Sequence, residues 1–250
     1  MKLESEAPTR VAIVTGAAQG LGLAIATRLA REGMKMFCVD RAEGVKNVAA
    51  DLRAAGLEAE GAVFDLGSQA AAQAVVKGAL DRYGALHVLV NNAGIGVKRM
   101  PKIEELAPEE WRGVLDVNLT APFLLAREAM PLMKKQGWGR IINISSRAGR
   151  TAVYGADASY SATKAGIIGL SRLLASEGAK FGVTANAICP GRFDTEMGAV
   201  PAGFDIAGAI PVGRVGRPEE LGALAAFLAS EEAGFITGAV IDINGGAFMG

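Results

Sequence analysis

Tyr160 and Lys164 stand four residues apart at the start of a segment with helical periodicity, so their side chains lie on one helix face. A tyrosine hydroxyl ordinarily ionises at about pH 10. A lysine cation at about 4 Å stabilises the phenolate by up to ~4 kcal/mol at an effective dielectric constant of about 20, roughly three pKa units, although desolvation opposes this effect. The pair is therefore a candidate for proton transfer near neutral pH, although many surface helices carry the same spacing by chance.

Polar side chains at two other places could act on the same substrate. Ser145 ends the fifth predicted strand and Ser146 follows it, and a hydroxyl at the carboxyl end of a parallel strand can donate to a substrate oxygen on which charge develops. Asn118 interrupts an apolar helical stretch, and a buried asparagine requires hydrogen-bond partners. We expect Asn118 to hold a water molecule that relays protons from Lys164.

A turn with glycines at positions 16, 20 and 22 directly follows the first predicted strand. Glycine lets the backbone turn tightly and approach a pyrophosphate, while the following helix presents unpaired N–H groups and the positive end of its dipole. The spacing G-x-x-x-G-x-G differs from the commoner dinucleotide-binding pattern G-x-G-x-x-G. The turn therefore indicates a dinucleotide site, and a strand-to-helix turn that binds no ligand is the alternative.

An acidic residue, Asp40, ends the second predicted strand. It lies about 20 residues after the turn, where a carboxylate accepts hydrogen bonds from the adenosine ribose and repels a 2′-phosphate. This position favours NAD over NADP. Arg41 leaves an ambiguity, because a neighbouring guanidinium can pair with a 2′-phosphate. Asp65 ends the third strand, where it either contacts adenine or caps the helix that begins near Ser68.

The elements that must position these residues alternate between short apolar runs and longer helical stretches. Strands are predicted at 11–15, 36–40, 59–64, 88–91, 140–145, 184–188 and 239–243, and helices near 21–32, 43–55, 68–83, 103–135, 158–180 and 217–229. This alternation predicts an α/β fold of the Rossmann type, a doubly wound parallel sheet of about seven strands with helices on both faces. We expect a single domain over 1–250, with a substrate lid in the irregular stretch at about 191–216.

Composition argues against several other classes of protein. The 250 residues include 26 basic and 26 acidic side chains, so the basic excess expected of a nucleic-acid-binding protein is missing. No apolar stretch reaches the roughly 20 residues that span a bilayer, and no secretory signal is visible. Cys38, Cys189 and the single histidine, His87, make neither a disulfide framework nor a zinc site. We expect a cytoplasmic protein that binds no metal, nucleic acid or membrane.

The ordered set of motifs resembles the short-chain dehydrogenase/reductase family from about residue 9 to the C-terminus. The resemblance rests on T-G-x-x-x-G-x-G at 15–22, N-N-A-G at 91–94, Asn118, N-I-S-S at 143–146, Y-x-x-x-K at 160–164 and P-G at 190–191. It implies that Tyr160 is the general acid in reduction and the general base in oxidation. Lys164 would lower the Tyr160 pKa and hold the nicotinamide ribose. Ser146 rather than Ser145 would bind the carbonyl, and Asn118 would complete the proton relay.

The resemblance also implies a cofactor, NAD(H), which exchanges a hydride with the substrate carbon without a metal. The residues implied to hold it are Gly16, Gln19, Gly20, Leu21, Gly22, Asp40, Arg41, Asp65, Leu66, Asn92, Ala93, Gly94, Tyr160, Lys164, Pro190, Gly191 and Thr195. Relatives that use NADP often carry Arg or Lys in place of Gln19 and lack the acid at position 40, so both positions favour NAD. Family members are usually homotetramers or homodimers packed through the helices at 103–135 and 158–180.

The substrate is inferred from the lid, which is mostly apolar and favours a small apolar or cyclic secondary alcohol, interconverted with its ketone. The chain also resembles 3-oxoacyl-acyl-carrier-protein reductases. These generally prefer NADPH and use arginines at two positions that hold Gly137 and Phe181 here. A polyol or sugar dehydrogenase is the third enzymatic alternative. Loss of a catalytic residue would favour a dinucleotide-binding sensor without catalysis, but all four are present.

Overall fold

The computed structural model describes residues 9–97, 99, 101–153, 155–195, 205 and 207–250, apart from the side chain of Gln69. Its strands, β1 to β7, are Val11–Thr15, Lys35–Asp40, Ala59–Val63, Val88–Asn91, Gly139–Ile144, Val183–Pro190 and Val240–Ile243. The predicted strands agree with these bounds to within two residues at either end.

The strands form one sheet in the order β3-β2-β1-β4-β5-β6-β7, and every neighbouring pair is parallel. β1 lies inside the sheet next to the central strand β4, and its Val14 pairs with Cys38 of β2 on one side and with Val90 of β4 on the other. The strand order reverses between β1 and β4, and doubly wound sheets bind ligands at the carboxyl ends of such strands. The predicted doubly wound parallel sheet is confirmed.

Helices cover both faces of the sheet. In chain order α1 to α7 are Gly20–Arg31, Gly44–Ala54, Gln69–Tyr83, Pro108–Leu115, Ala121–Gln136, Ala158–Gly178 and Pro218–Leu228. Neighbouring residues of β1 point to opposite faces, so Val14 packs with α1, α2 and α7 while Ile13 packs with α3, α5 and α6. Both side chains are fully buried, which explains why the central strands are continuous apolar runs. Within the described ranges, no helix is long and apolar enough to cross a membrane.

The single helix predicted at 103–135 is wrong, because the structure divides this stretch into four pieces. A 3₁₀ turn, Ile103–Glu105, is followed by α4, by a π-helical turn, Asp116–Thr120, and by α5. Pro108 begins α4, as expected for a residue that has no N–H to leave unpaired. Pro122 lacks the N–H that would bond the Asn118 carbonyl in an α-helix, and the Ala121 N–H bonds Asp116 O, five residues back. Asn118 therefore lies in an irregular turn of the backbone.

The lid predicted at 191–216 is only partly described. Residues 196–204 and 206 lie outside the described residues, including most of the apolar positions on which the substrate inference rests. Of the remainder, Phe193 and Ile210 are buried, and Phe193 pairs with Gly216 in an isolated parallel bridge. The two ends of the stretch are therefore held together beside the end of β6.

Candidate active site

The glycine turn between β1 and α1 is packed too closely for side chains. Gly16 and Gly20 have φ of +67° and +56°, in the left-handed region that favours glycine. A Cβ at Gly16 would lie 2.9 Å from the Cα of Ala93, and one at Gly22 would lie 1.9 Å from the Gly16 carbonyl oxygen. The three glycines thus let the turn bring the start of α1 against the end of β4.

Asn92 fastens this turn to β4. Its side-chain amide donates to the carbonyl oxygens of Thr15 at 2.9 Å and Gly16 at 3.2 Å. In return, the Thr15 hydroxyl oxygen accepts from the backbone N–H groups of Asn92 and Ala93, both at 3.0 Å. Three predicted cofactor residues, Gly16, Asn92 and Ala93, are therefore brought together at the reversal of the strand order.

Asp40 lies next to the same turn. Its Oδ2 accepts from the N–H of Ala18 at 3.1 Å, and its Oδ1 accepts from the N–H of Ala42 at 3.0 Å. The carboxylate at the end of β2 is thus held against the glycine turn, where a ribose would lie beside a pyrophosphate bound at α1. Arg41 is exposed.

Asp65 and Leu66 have no side-chain hydrogen bond to the glycine turn among the described residues. The Oδ1 of Asp65 accepts from the N–H of Gly67 at 3.0 Å, which makes a local turn before α3, while the N-cap of α3, Ser68, makes no side-chain bond to the helix. The Asp65 side chain is exposed, and that of Leu66 is only 8% exposed in the core between the sheet and α3. Any contact of Leu66 with a ligand would therefore be made by its backbone.

The end of β6 and the residues after it form the opposite side of the ligand crevice, which lies at the carboxyl ends of the strands. Pro190 ends the strand, and the Gly191 N–H bonds the carbonyl oxygen of Ile243 at 2.9 Å. A Cβ at Gly191 would lie 2.6 Å from the Cβ of Asn244, so this position has no room for a side chain. Thr195 reaches back across the crevice, with its methyl carbon 3.4 Å from where a Cβ of Gly20 would lie.

Ser145 and Ser146 have different roles in the structure. The Ser145 hydroxyl is buried and donates to the carbonyl oxygen of Lys164 at 2.6 Å, which fastens β5 to α6. The Ser146 hydroxyl accepts from the N–H of Ala148 at 3.1 Å, and it lies near enough to the Tyr160 hydroxyl to lower the pKa of that group. Of the two serines, Ser146 is therefore the one beside the tyrosine, and its role in binding the carbonyl stays a prediction.

Lys164 lies behind Tyr160 on α6, its Nζ 5.5 Å from the centre of the tyrosine ring. The side chain is 4% exposed, and Nζ donates to the Ile144 carbonyl oxygen at 2.9 Å. Burial lowers the pKa of Lys164 from 10.5 to about 8, because desolvation penalises the ammonium. Gly94 passes directly over this group, since a Cβ there would lie 3.3 Å from Nζ.

Burial also dominates at Tyr160. Burial raises the pKa of the hydroxyl, the neighbouring Ser146 hydroxyl lowers it, and the charge of Asp157 raises it. The net shift is upward, so the expected lowering by Lys164 is not what this arrangement gives. Desolvation is the larger effect, and the ammonium bonds the Ile144 carbonyl. The Tyr160 hydroxyl therefore keeps its proton at neutral pH.

Asn118 is almost fully buried, as predicted, but its side chain does not face an open water site. Nδ2 donates to the carbonyl oxygen of Ile95 and Oδ1 accepts from the Ile95 N–H, both at 2.8 Å. Nδ2 also lies 3.3 Å from the hydroxyl of Thr163. The amide is committed to the segment after β4, so a relay through Asn118 would use its main-chain carbonyl, which lacks an α-helical partner at Pro122.

These residues fit a nicotinamide dinucleotide. The glycine turn forms a cradle that a Cβ would fill, and Gln19, at the N-cap of α1, makes no side-chain bond to the first turn. Backbone N–H groups at a helix start suit a pyrophosphate. Leu21, in contrast, packs partly into the core.

Comparison with known proteins agrees with this arrangement. Residues 10–201 match the family described as short chain dehydrogenase, and the chain belongs to this family of oxidoreductases. It is 41% identical over 250 residues to acetoacetyl-CoA reductase of Rhizobium meliloti (strain 1021), covering 96% of this chain and 99% of the relative. It is 37% identical over 243 residues to the 3-oxoacyl-acyl-carrier-protein reductase FabG of Escherichia coli (strain K12), covering 96% and 98%.

Solved structures show the same fold. A variant of actinorhodin polyketide ketoreductase with NADPH has a TM-score of 0.90 and 37% identity, over 96% of this chain and 97% of that chain. The similarity to this ketoreductase and to the two reductases extends beyond the cofactor half to the segments that carry Ser146, Tyr160 and Lys164.

Proposed function

We propose that this protein is an NADH-dependent reductase that converts the ketone of a 3-oxoacyl thioester, such as acetoacetyl-CoA, into the 3-hydroxyacyl product. The observation that carries the chemistry is that Ser146 and a protonated Tyr160 lie together in front of the buried Lys164, whose Nζ is 5.5 Å from the centre of the tyrosine ring. The substrate class is supported by the relatives, because an acetoacetyl-CoA reductase and a 3-oxoacyl-acyl-carrier-protein reductase match over nearly their whole length.

In this proposal each catalytic side chain has one task. A bound dinucleotide supplies the hydride that adds to the carbonyl carbon. The hydroxyls of Ser146 and Tyr160 donate to the carbonyl oxygen, and Tyr160 transfers its proton there as negative charge develops. The Lys164 ammonium stabilises the phenolate that remains. A water on the main-chain carbonyl of Asn118 lies on the path by which the proton is replaced.

The proposed preference for NADH rests on Asp40. Its carboxylate is fixed by the N–H groups of Ala18 and Ala42, so it cannot easily turn away from a 2′-phosphate. NADPH is the alternative, since the related actinorhodin ketoreductase was solved with NADPH. The remaining cofactor residues named from the sequence, including Arg41, Asp65 and Thr195, belong to the same proposal.

Two lysines are relevant to whether the acyl group is carried by a carrier protein or by CoA. Gly137 and Phe181 replace the arginines expected in carrier-protein reductases, which argues against binding of an acidic carrier. In the structure, the Nζ atoms of Lys134 and Lys180 lie 5.2 and 5.1 Å from the centre of the Phe181 ring. Positive charge is therefore present beside this position, which supports binding of an acidic CoA thioester even though the arginines for a carrier protein are missing.

A small apolar or cyclic secondary alcohol is the second candidate substrate, and the apolar composition of the 191–216 lid favours it. The two candidates are separated by assaying the purified protein with acetoacetyl-CoA, and with cyclic alcohols and polyols, each with both cofactors. We expect thioester reduction with NADH to have a kcat/KM at least about tenfold above that of any alcohol, or ~1.4 kcal/mol. Turnover of a cyclic alcohol without thioester reduction would support the second candidate.

The same proposal covers assembly and location. We propose a homotetramer or homodimer in the cytoplasm, with α5 and α6 at the interface. Phe123 of α5 and Leu173 of α6 are 48% and 57% exposed, and an interface on these two helices would bury both side chains. Light scattering after size-exclusion chromatography measures the assembly, and a monomer at micromolar concentration would contradict it.

A further inference from the structure

Asp157 is an almost fully buried acid at the start of the helix that carries Tyr160. It is the N-cap residue of α6 and is 6% exposed. Its Oδ1 accepts from the N–H of Tyr160 at 3.0 Å and from the hydroxyl of Ser159. Its Oδ2 accepts from the N–H of Val97 at 3.2 Å. One carboxylate thus joins the N-terminus of α6 to the segment that follows β4.

That segment, residues 94–97, is hydrogen-bonded at Ile95 and Val97 and lies against the catalytic side chains. Gly94 passes over Lys164, and both backbone groups of Ile95 are bonded by Asn118. A Cβ at Gly96 would lie 3.7 Å from Asp157 Oδ2 and 3.7 Å from Tyr160 Cδ2. The 94–97 segment therefore occupies the space between the buried carboxylate, the tyrosine ring and the lysine.

We propose that Asp157 is a positioning residue of this active site, whose buried carboxylate fixes the Tyr160 ring against the 94–97 segment and sets the charge around its hydroxyl. The inference rests on the proposed role of Tyr160 in proton transfer. It adds a residue that acts through Tyr160 and does not touch the substrate. The sequence contains the signal, an aspartate before an apolar helical run, but such a residue alone predicts only a helix cap.

In the described part of the chain, three elements place groups near Tyr160. The loop after β5 contributes the Ser146 hydroxyl, α6 contributes Lys164 one turn further on, and the 94–97 segment contributes backbone. Among the described residues the carboxylate of Asp157 is the negative charge that acts on this hydroxyl, and it raises the tyrosine pKa. Glu110 lies beyond it on α4 at the surface, where the hydrogen bond from Arg99 lowers the Glu110 pKa and the charge of Asp157 opposes that shift. Removing the Asp157 charge should therefore lower the Tyr160 pKa.

The substitution Asp157→Asn removes the negative charge of residue 157 and keeps the helix cap. Asparagine caps helices as well as aspartate does, so the bond from the Tyr160 N–H survives. The charge is lost, and the amide NH₂ would face the Val97 N–H, where it cannot accept a hydrogen bond. Asp157→Ser is the second variant, which keeps a cap acceptor and removes the contact with Val97. Glu110→Gln is the matched control, because it removes a neighbouring carboxylate at the surface.

The test is the pH profile of kcat/KM for oxidation of a 3-hydroxyacyl thioester, in which the rising limb reports ionisation of the base. We expect the limb of Asp157→Asn to move to lower pH by roughly half a unit or more, with Glu110→Gln unchanged. Absorbance titration of the phenolate provides a readout without turnover. The chain has 3 tyrosines, and subtracting the Tyr160→Phe counterpart of each variant isolates Tyr160.

Two results would overturn the role of Asp157. One is an unshifted limb and an unshifted phenolate titration in both Asp157 variants, whether or not kcat falls. The other is an equal shift in Glu110→Gln. The proposed function fails separately, if Tyr160→Phe turns over substrate as fast as the unsubstituted protein. An inactive Tyr160→Phe together with an unshifted Asp157→Asn rejects only the positioning role.

Discussion

The side-chain amide of Asn118 pairs with both backbone groups of Ile95, donating to its carbonyl oxygen and accepting from its N–H, each at 2.8 Å. Asn118 lies in the π-helical turn between α4 and α5, and Ile95 lies in the segment between β4 and the 3₁₀ turn. The pairing therefore holds the 94–97 segment over Lys164 and Tyr160. Asn118 therefore supports the active site by fixing the backbone of the 94–97 segment.

We expect Asn118→Ala to lower kcat about 100-fold, because a displacement of roughly 1 Å in a catalytic group can cost that much. The unpaired groups of Ile95 should also lower the free energy of unfolding by ~1–3 kcal/mol. Steady-state kinetics and urea denaturation measure the two effects.

Asn186→Ala is the matched control for this prediction. Asn186 is buried and makes the same two-sided bond, to the Ile236 carbonyl oxygen at 2.8 Å and from the Ala239 N–H at 3.0 Å, away from the catalytic residues. It should lose similar stability and keep kcat within about twofold. Equal kcat losses in the two variants would mean that the Asn118 effect is one of stability alone.

The buried Lys164 predicts a dependence of stability on pH. Its pKa falls from 10.5 to about 8 on folding, so between these pH values the unfolded chain binds a proton that the folded chain does not. The free energy of unfolding, measured relative to that of Lys164→Met, should therefore rise by up to ~3 kcal/mol as the pH is raised across this window. The gain is lost again as the pH falls through about 8. Urea denaturation of both proteins from pH 7 to 10.5 measures it, and parallel curves would contradict it.

Asp40 should control the choice of cofactor. In Asp40→Ser the repulsion of a 2′-phosphate disappears together with the carboxylate, so the ratio of kcat/KM for NADPH to that for NADH should rise about tenfold or more, ~1.4 kcal/mol. Asp51→Ser, on the exposed surface of α2, is the control for removal of an acid and should leave the ratio unchanged. A ratio that stays constant in Asp40→Ser would assign the preference to other residues.

The sheet and the helices around it were predictable because their signals are local. β1 and β4 are continuous apolar runs that end in polar residues, and each boundary follows from hydrophobic periodicity. The same periodicity failed at 103–135, since an apolar pattern continues through the turn at Asn118 while the backbone does not. Pro122 was the available signal, because it removes the N–H that would bond the Asn118 carbonyl.

The candidate site was predictable as a set of residues, but its electrostatics were not. The spacing of Tyr160 and Lys164 gives their shared helix face, and it suggested that the lysine lowers the tyrosine pKa. Desolvation depends on which residues cover the two groups, which the spacing does not reveal, and it is the largest cause of the pKa shift at both residues. The role of Asp157 was missed for a related reason, because its bond to Val97 joins residues 60 positions apart.

The central claim is that Tyr160 donates the proton to the substrate, and the most direct measurement is the turnover of Tyr160→Phe with its affinity for NADH. A general acid contributes roughly 10²–10⁴ in rate, so kcat should fall at least about 100-fold while the Kd for NADH stays within about twofold. Tyr83→Phe, whose hydroxyl bonds only the Met36 carbonyl oxygen among the described residues, should keep full activity. Unchanged turnover in Tyr160→Phe would contradict the account.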